Sequence, residues 1–546
     1  ASGKLKVLTK EINTKVFTSH FQPASPLASF KRQVQHAAPK AKWLGLAYFV
    51  AFTCTMALAI VGAFALAIDE WNLMTAVITV MIAATALWIS GGAATALLGL
   101  IMPSEERRAP PLHWQPRGRT AILITLCGED PKPLASYLRS FTNDLAAAQL
   151  SEQAPIFVIS DTPANAADAE ASALSSLIAH GLITYRRRDN NHGKKPGNIS
   201  DWLAQHGAHF DYMLVKDTDS RMSVNCVRQL IFGLETKPNT GLLQSGISVL
   251  PAQSRFGRYQ RNSSRLLGRN FGRGFAAWSG NAGNYWGHNA IMRIEAFRVA
   301  AKLPVLSGNG PLGGSILSHD FVEAAWMRRA GWDIELMPDL RGSAEDAPQT
   351  VSAFFRRDRR WCQGNLQHMR LLTEPNLHPV SRLHLITGIF SYISAPIWLL
   401  LIGLLSVGLV SVQSYWSILL VAIVLLIPKL CALVEFLPKA RTWKRRATYM
   451  RASASEFLVS VLVAPLISIH HAKSVLAVLM GFDCGWKSNV QPRWHIREGW
   501  LEAAIGLSLL IVGVVSSTVS VLWLAPIIVP LLIAPVMIPI LDGEPR

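Results

Sequence analysis

Residues 212–221 read YMLVKDTDSR, and the parsing of this stretch decides the fold. Residues 212–215 have strand character and run straight into Asp217-Thr218-Asp219, so two carboxylates two residues apart emerge where a buried parallel strand ends. In open α/β sheets ligands bind outside such strand ends. A carboxylate pair there can hold one hard divalent cation, Mg2+ or Mn2+, through oxygen, and such an ion keeps several waters and shares itself with substrate phosphates. A nucleoside diphosphate is the natural guest. The competing reading is a solvated turn, which an Asp-x-Asp triplet often is, so the rest of the chain has to decide.

Working outward, residues 103–382 alternate short apolar runs with polar helical stretches. Residues 121–126, 156–160, 182–185, 212–215, 240–244 and 333–337 read as strands separated by helices, the βαβ rhythm of a mostly parallel sheet. After the first strand comes TLCGED, which puts Glu129 or Asp130 at the top of the sheet, and Ser160-Asp161-Thr162 ends the second strand in the same way. Two acidic strand ends beside a topological switch point can hydrogen-bond a uracil and a ribose hydroxyl, or they can be helix N-caps. Residues 186–198, RRRDNNHGKKPGN, set five basic side chains and two glycines ahead of a helix expected to be capped near Ser200. That segment suits a diphosphate, with Lys195 reaching it, or else is a solvated basic loop. Ser318-His319-Asp320 opens a helix over 321–330. Backbone N–H groups at a helix start hold a carboxylate as the anion, which suits Asp320 to general-base work and equally to an N-cap. Finally, residues 354–365, FFRRDRRWCQGN, set four arginines against Trp361. A tryptophan face is a platform for a sugar and an arginine can neutralise a leaving diphosphate, although a basic aromatic belt at a membrane surface reads the same way.

Half of the 546 residues are hydrophobic and only 16% are charged, too apolar for a wholly soluble chain of this size. Residues 43–68 and 73–101 each exceed the ~20 residues a helical span needs, and form a hairpin whose connection carries no Lys or Arg. Both outer flanks are basic, which places them, with the basic tail 1–42, on the cytoplasmic side. Membrane character returns at 382–412, 416–437, 500–517 and 519–540. Residues 457–480 are expected as two short apolar pieces broken by Pro465, His470, His471 and Lys473, interfacial or re-entrant, because a crossing there would turn Lys487, Arg493 and Arg497 outward against the positive-inside rule. This gives six spans, with seven or eight as alternatives. The domains are then a tail (1–42), a transmembrane hairpin (43–101), the α/β domain (103–382), two transmembrane helices (383–437), a cytoplasmic or interfacial segment (438–498) and a second hairpin (499–541). The net charge of +18 fits a membrane surface and a phosphorylated substrate; no zinc knuckle, RNA-binding signature or helix-turn-helix supports nucleic acid. Six scattered cysteines without C-x-x-C spacing suit a reducing compartment, and no cleavable signal peptide is expected.

The ordered set of acidic strand end, Lys-x-Gly-Asn, Asp-x-Asp, small-His-Asp and Arg-Trp ahead of membrane spans resembles the processive family-2 glycosyltransferases such as bacterial cellulose and hyaluronan synthases. That resemblance implies a multi-span membrane protein whose cytoplasmic catalytic domain has the Rossmann-like α/β GT-A fold and is inserted between α-helical transmembrane segments. By resemblance Asp161 contacts uridine with Glu129 nearby, Lys195 the diphosphate, and Asp219 the metal, with Asp217 beside it toward the nucleotide. Asp320 is the general base, Arg360 meets the diphosphate and Trp361 caps the acceptor site. His319 and Arg357 stand at the substrate where the family has Glu and Gln. Residues 481–494, GFDCGWKSNVQPRW, fall where cellulose synthase carries its gating loop, which makes Trp486 and Lys487 candidates for substrate contact; an interfacial loop is the alternative. Three longer stretches, GHNAIMRIEAF (287–297), GGSILSHDFVEAAWMRRAGW (313–332) and RRDRRWCQGNLQ (356–367), look like the glucans biosynthesis glucosyltransferase H family. This narrower resemblance implies an inner-membrane enzyme that polymerises glucose from UDP-glucose, with Mg2+ or Mn2+, into the β-1,2-linked backbone of osmoregulated periplasmic glucans and threads the growing chain outward. It also brings two partners to test, periplasmic glucan biosynthesis protein G and acyl carrier protein. A synthase of another β-glycan such as cellulose, and a transporter whose α/β domain senses a nucleotide, are the alternatives; the latter needs intramembrane ionisable residues, of which Glu435, His470 and His471 are the visible ones.

Overall fold

The computed structural model describes residues 40–102, 109–300, 302–408, 414–484, 499–516 and 518–544. Helices α1 (Lys40–Ala65) and α2 (Leu73–Ile101) come first. The α/β domain begins β1 (Thr120–Leu126), α3 (Pro131–Ala147), β2 (Ile156–Ser160), α4 (Ala164–Ala179), β3 (Thr184–Arg187), α5 (Lys194–His206), β4 (Tyr212–Asp217), β5 (Arg221–Met222) and α6 (Val224–Glu235). It continues β6 (Thr240–Ser245), β7 (Ser248–Val249), α7 (Arg255–Ser263), α8 (Arg269–Ser279), β8 (Ala290–Arg293) and α9 (Ile294–Ala300). Next come α10 (His319–Arg329), β9 (Asp333–Met337), β10 (Ser343–Glu345) and α11 (Val351–Gln367). Five apolar helices follow: α12 (Pro379–Ser406), α13 (Trp416–Phe436), α14 (Trp443–Leu479), α15 (Trp500–Ser516) and α16 (Thr518–Asp542).

The main sheet runs β3-β2-β1-β4-β8-β6-β9, with β1 parallel to both β2 and β4, and β8 antiparallel to β4 and β6. Strand alternation builds two cores. Ala121, Leu123, Met213 and Val215 face α5, α9 and α10 through Trp202, Phe297 and Val322, while Ile122, Ile124 and Leu214 face α3, α4 and α6 through Leu138, Leu174 and Leu230. All six expected strands are present. The antiparallel β8 was not foreseen, because its four residues pass into α9 with no turn residue between them and the run reads as a helix start. A small second sheet, β5-β10-β7, lies beyond the Asp-x-Asp turn; its strands of two or three residues are too short to show a period.

The α/β domain is seated on the membrane helices. Helix α8 lies on α2 where Gly99 meets Asn270 and Gly274 meets Thr95: a Cβ on Gly274 would stand 1.7 Å from the Thr95 carbonyl oxygen, so only hydrogen permits that approach. Six described helices are long and apolar enough to cross a membrane, and this is a multi-span membrane protein, but the six are not the expected ones. In place of two broken pieces at 457–480 there is one unbroken helix, α14, with Pro465 inside it, and it meets the criteria for a span. Two of the polar residues that looked like breakers have partners on α11: His470 stacks on Phe355 with ring centroids 4.2 Å apart, and His471 Nε2 lies 2.8 Å from Asp358 Oδ2. Helix α15, expected to span, has 17 residues and falls short.

Two ionisable groups inside these helices escaped the sequence reading. Lys429 of α13 donates to both oxygens of Glu456 of α14 at 2.5 and 2.6 Å and to Ser460 Oγ at 2.9 Å, and Glu456 is buried. Lys429 lies in an apolar segment and Glu456 at the edge of one, and the pairing accounts for the lysine there. Removing one partner of a buried pair strands the other charge, so Lys429→Met is expected to cost about 3–5 kcal/mol, and adding Glu456→Leu should recover most of it. Thermal unfolding of the two variants in lipid nanodiscs checks this. Equal stability of single variant and wild type would refute it.

Candidate active site

The order β2-β1-β4 puts the topological switch point beside β1, and the register pairs Thr125 with Asp217 at its upper end. Thr125 Oγ1 donates to Asp217 Oδ1 at 2.9 Å, and Thr218 Oγ1 donates back to the Thr125 carbonyl at 2.7 Å, fixing the Asp-x-Asp turn to the neighbouring strand. A cleft of about 1210 Å3 opens above these strand ends. All of the described residues singled out in the sequence line it: Glu129, Asp161, Lys195, Asp217, Asp219, His319, Asp320, Arg357, Arg360 and Trp361. Trp486 and Lys487 lie outside the described residues. The segment leading to them is held against α11, where Cys484 N–H donates to Gln363 Oε1 at 2.7 Å.

Where the sequence left alternatives, the structure separates them. Asp130 caps α3, accepting from Lys132 N–H at 3.1 Å, so it is spent as an N-cap. Glu129 lines the cleft and accepts from Cys127 N–H. Asp161 is no cap: α4 starts at Ala164 after Pro163, and Asp161 instead receives both Nε and Nη2 of Arg188, at 2.7 and 2.9 Å. The basic segment is not a loop ahead of a helix capped near Ser200. Helix α5 starts six residues earlier, at Lys194, behind Gly193 in the left-handed region (φ 67°). Pro196 is tolerated in the first turn, and Gly197 is required there because a Cβ would stand 2.0 Å from the His192 carbonyl oxygen. Lys195 therefore projects from a helix N-terminus, where backbone N–H groups and the helix dipole favour anions.

The two carboxylates of Asp-x-Asp are shifted in opposite directions. Burial alone would raise the Asp217 carboxyl, but the bonded Lys195 ammonium and nearby His288 bring it down to about 2. Lys195 also donates to the Gly287 carbonyl at 2.7 Å, which leaves one of its three N–H groups for a ligand. Asp219 opens into the cleft and has no side-chain partner among the described residues. It is hemmed in by enough protein that lost hydration, with the Asp217 charge beside it, pushes it up to about 6. No group of three or more potential metal ligands occurs among the described residues. A lone hard carboxylate beside a neutralised one does fit an ion that takes its remaining ligands from a diphosphate and water.

Asp320 sits in the first turn of α10, where Ser318 holds the cap position, and accepts from the Phe321 backbone N–H. Burial pushes its carboxyl up, the His319 imidazole pulls it back, and no side-chain donor or cation pairs with it among the described residues. His319 is turned away toward Glu323, with Nδ1 3.1 Å from Oε1. On α11, Arg357 lies over the Trp361 ring at 4.5 Å, and Trp361 as a whole stays 47% exposed. The sequence reading missed His288. It stands before β8, with Nε2 3.0 Å from Glu345 Oε2 and Nδ1 3.3 Å from Ser220 Oγ. Both ring nitrogens are occupied, so it braces the turn after Asp219 rather than offering a ligand. Nothing in local sequence marks it, since its partners come from 57 residues downstream and 68 upstream.

A doubly wound sheet carrying a carboxylate pair, a cationic helix start and a carboxylate without a side-chain partner among the described residues, seated on apolar spans, defines a membrane-embedded glycosyltransferase of the GT-A type. The model of "Glycosyl transferase family group 2" matches residues 212–434. Glucans biosynthesis glucosyltransferase H of Xanthomonas oryzae is 37% identical over 450 residues, covering 76% of this chain and 70% of that relative. Its namesake in Rhodopseudomonas palustris is 36% identical, covering 76% of this chain and 62% of that one. The chain belongs to the glucans biosynthesis glucosyltransferase H family and is a glycosyltransferase of glucan synthesis. Among solved structures, a Pyrobaculum calidifontis mannosyltransferase in complex with GDP-Man and Mn2+ aligns at TM-score 0.44 and 13% identity over 74% of this chain and 98% of that one, too loosely to bear on function.

Proposed function

We propose that the protein transfers glucose from UDP-glucose to the end of a growing glucan in one inverting displacement, building the β-1,2-linked backbone of osmoregulated periplasmic glucans and passing it across the inner membrane from a cytoplasmic catalytic domain. One observation carries the reading. Gly287, at φ 84°, accepts the Lys195 ammonium on its carbonyl, while a Cβ on it would lie 3.4 Å from Asp320 Oδ2, so one backbone turn holds the cation for the leaving group beside the base.

The steps follow from this placement. Glu129 and Asp161 are set to receive the nucleoside, and Lys195 with Arg360 to receive the diphosphate. Mg2+ or Mn2+ held by Asp219, beside Asp217, would neutralise charge developing on the departing UDP. Trp361 stacks the acceptor sugar, whose hydroxyl oxygen attacks the anomeric carbon as the bond to the diphosphate oxygen breaks; the hydroxyl proton passes to Asp320. The raised Asp320 carboxyl makes a better proton acceptor than an ordinary one while it remains ionised. No covalent intermediate is required.

Incubation of the protein in lipid nanodiscs with labelled UDP-glucose and Mg2+, followed by linkage analysis, tests the reading. A β-1,2-linked polymer is expected. A differently linked product would reassign the glycan, and UDP binding without any transfer would sink the activity.

A further inference from the structure

We propose that Asp358 is a positioning residue for the acceptor glucan, tying the helix that bears Arg360 and Trp361 to two membrane helices; this rests on the glucan-polymerising reading above. Helix α11 has two functional sides. One presents Arg357, Arg360 and Trp361 to the cleft. On the other, three residues before Trp361, Asp358 is 5% exposed and turned into the membrane helices. Tyr392 of α12 donates its hydroxyl to Asp358 Oδ1 at 3.1 Å, and His471 of α14 sets Nε2 2.8 Å from Oδ2. Oδ1 is thus hydrogen-bonded to one membrane helix, and Oδ2 lies against the imidazole of another.

Tyr392 is also part of the cleft wall, with Gly388 and Ser391 of the same helix and Trp361 opposite. Asp358 therefore fixes a wall residue on the membrane side of the acceptor platform as well as the platform's own helix. The far end of α11 grips the turn before the base: His368 Nε2 donates to the Ser318 carbonyl at 2.9 Å, and Gln367 Oε1 accepts from Leu317 N–H at 2.9 Å. One rigid helix so relates the membrane helices, the acceptor platform and Asp320. A buried carboxylate held by a hydroxyl and an adjacent imidazole cannot lose either without moving its neighbours, and small misplacements of an acceptor cost rate steeply. The ligand so positioned is a neutral polyhydroxyl chain. Of the groups placed at the donor, α11 carries only Arg360; Glu129, Asp161, Lys195, Asp217 and Asp219 stand on other elements.

The test uses the full chain in nanodiscs with three readouts: affinity for a soluble β-glucan oligosaccharide, affinity for UDP, and length of polymer made. Asp358→Asn and Tyr392→Phe are expected to weaken the oligosaccharide about tenfold and shorten the product, with UDP affinity held within about twofold. His471→Leu should match Asp358→Asn, His471→Gln, which keeps an N–H donor, should restore part of the loss, and the Asp358→Asn/His471→Leu pair should be no worse than either alone. Unchanged oligosaccharide affinity and product length in both Asp358→Asn and Tyr392→Phe would overturn the inference, as would UDP affinity falling in step or losses that simply add. Tyr392→Phe, lacking one hydroxyl, keeps the test decisive if Asp358→Asn folds poorly. A wild type that binds the oligosaccharide but makes no glucan from UDP-glucose would sink the proposed function, while the variants' oligosaccharide affinities would still decide the role of Asp358.

Discussion

Asp320→Asn is expected to lower glucosyl transfer by a factor on the order of 10²–10⁴, the usual worth of a positioned general base, with UDP affinity changed by less than about twofold. The amide matches the carboxylate in shape but cannot take the acceptor proton. The fold should tolerate the exchange, because the group it replaces accepts only from the Phe321 backbone N–H and holds no side-chain ion pair among the described residues. The adjacent His319 does not substitute for it: its Nδ1 is engaged by Glu323. Transfer from labelled UDP-glucose, measured beside UDP binding on the same preparation, separates the outcomes. Near wild-type turnover would remove Asp320 from the proton transfer.

Asp219→Asn is expected to abolish transfer by a factor on the order of 10³ or more, through loss of charge stabilisation on the diphosphate, and to remove the dependence of UDP binding on Mg2+ or Mn2+. A pH signature accompanies it. The Asp219 carboxyl titrates near 6 because lost hydration and the Asp217 charge both oppose its ionisation. A cation arriving below that pH has to displace a proton, so metal-dependent UDP affinity should fall about tenfold per pH unit as pH drops below about 6 and level off above it. Asp217 contributes no slope in that range: held at about 2, it is already ionised. Calorimetric titration of Mn2+ with UDP between pH 5 and 8 reads the slope directly. A flat profile in the wild type, or an unchanged slope in Asp219→Asn, would show that Asp219 is not the ligand.

How far the sequence reaches can be followed residue by residue. Strands β2 and β9 were legible to the residue, because each is a five-residue run between helical stretches, too short for a helix. Asp217, Asp219 and Asp320 were legible because each follows or opens an element whose period is local. Lys216 shows the same rule against intuition: by type a surface cation, it is turned inward by strand alternation, fully buried with Nζ 2.5 Å from the Tyr137 hydroxyl and 4.3 Å from that ring's centroid. The start of α5 was misplaced because glycine and proline usually signal loop. Here Gly193 supplies the turn and Pro196 sits where a helix needs no N–H from it.

By itself, the sequence determined the α/β class, the membrane setting, the strand ends that bear carboxylates and the Arg-Trp segment that lines the cleft. These rest on periods of two and 3.6 residues and on spans of unbroken hydrophobicity, all written within a window of a few turns. Tertiary structure alone decided which of two acidic neighbours, Glu129 or Asp130, is taken as a helix cap, that Arg188 claims Asp161, that His288 braces Glu345, and that Asp358, Tyr392 and His471 meet. It also decided that α14 is one helix, with His470 and His471 stacked and paired on α11 rather than breaking it. The physical reason is common to all of them: a buried polar group must find a partner, and when that partner lies tens or hundreds of residues away no local pattern can name it.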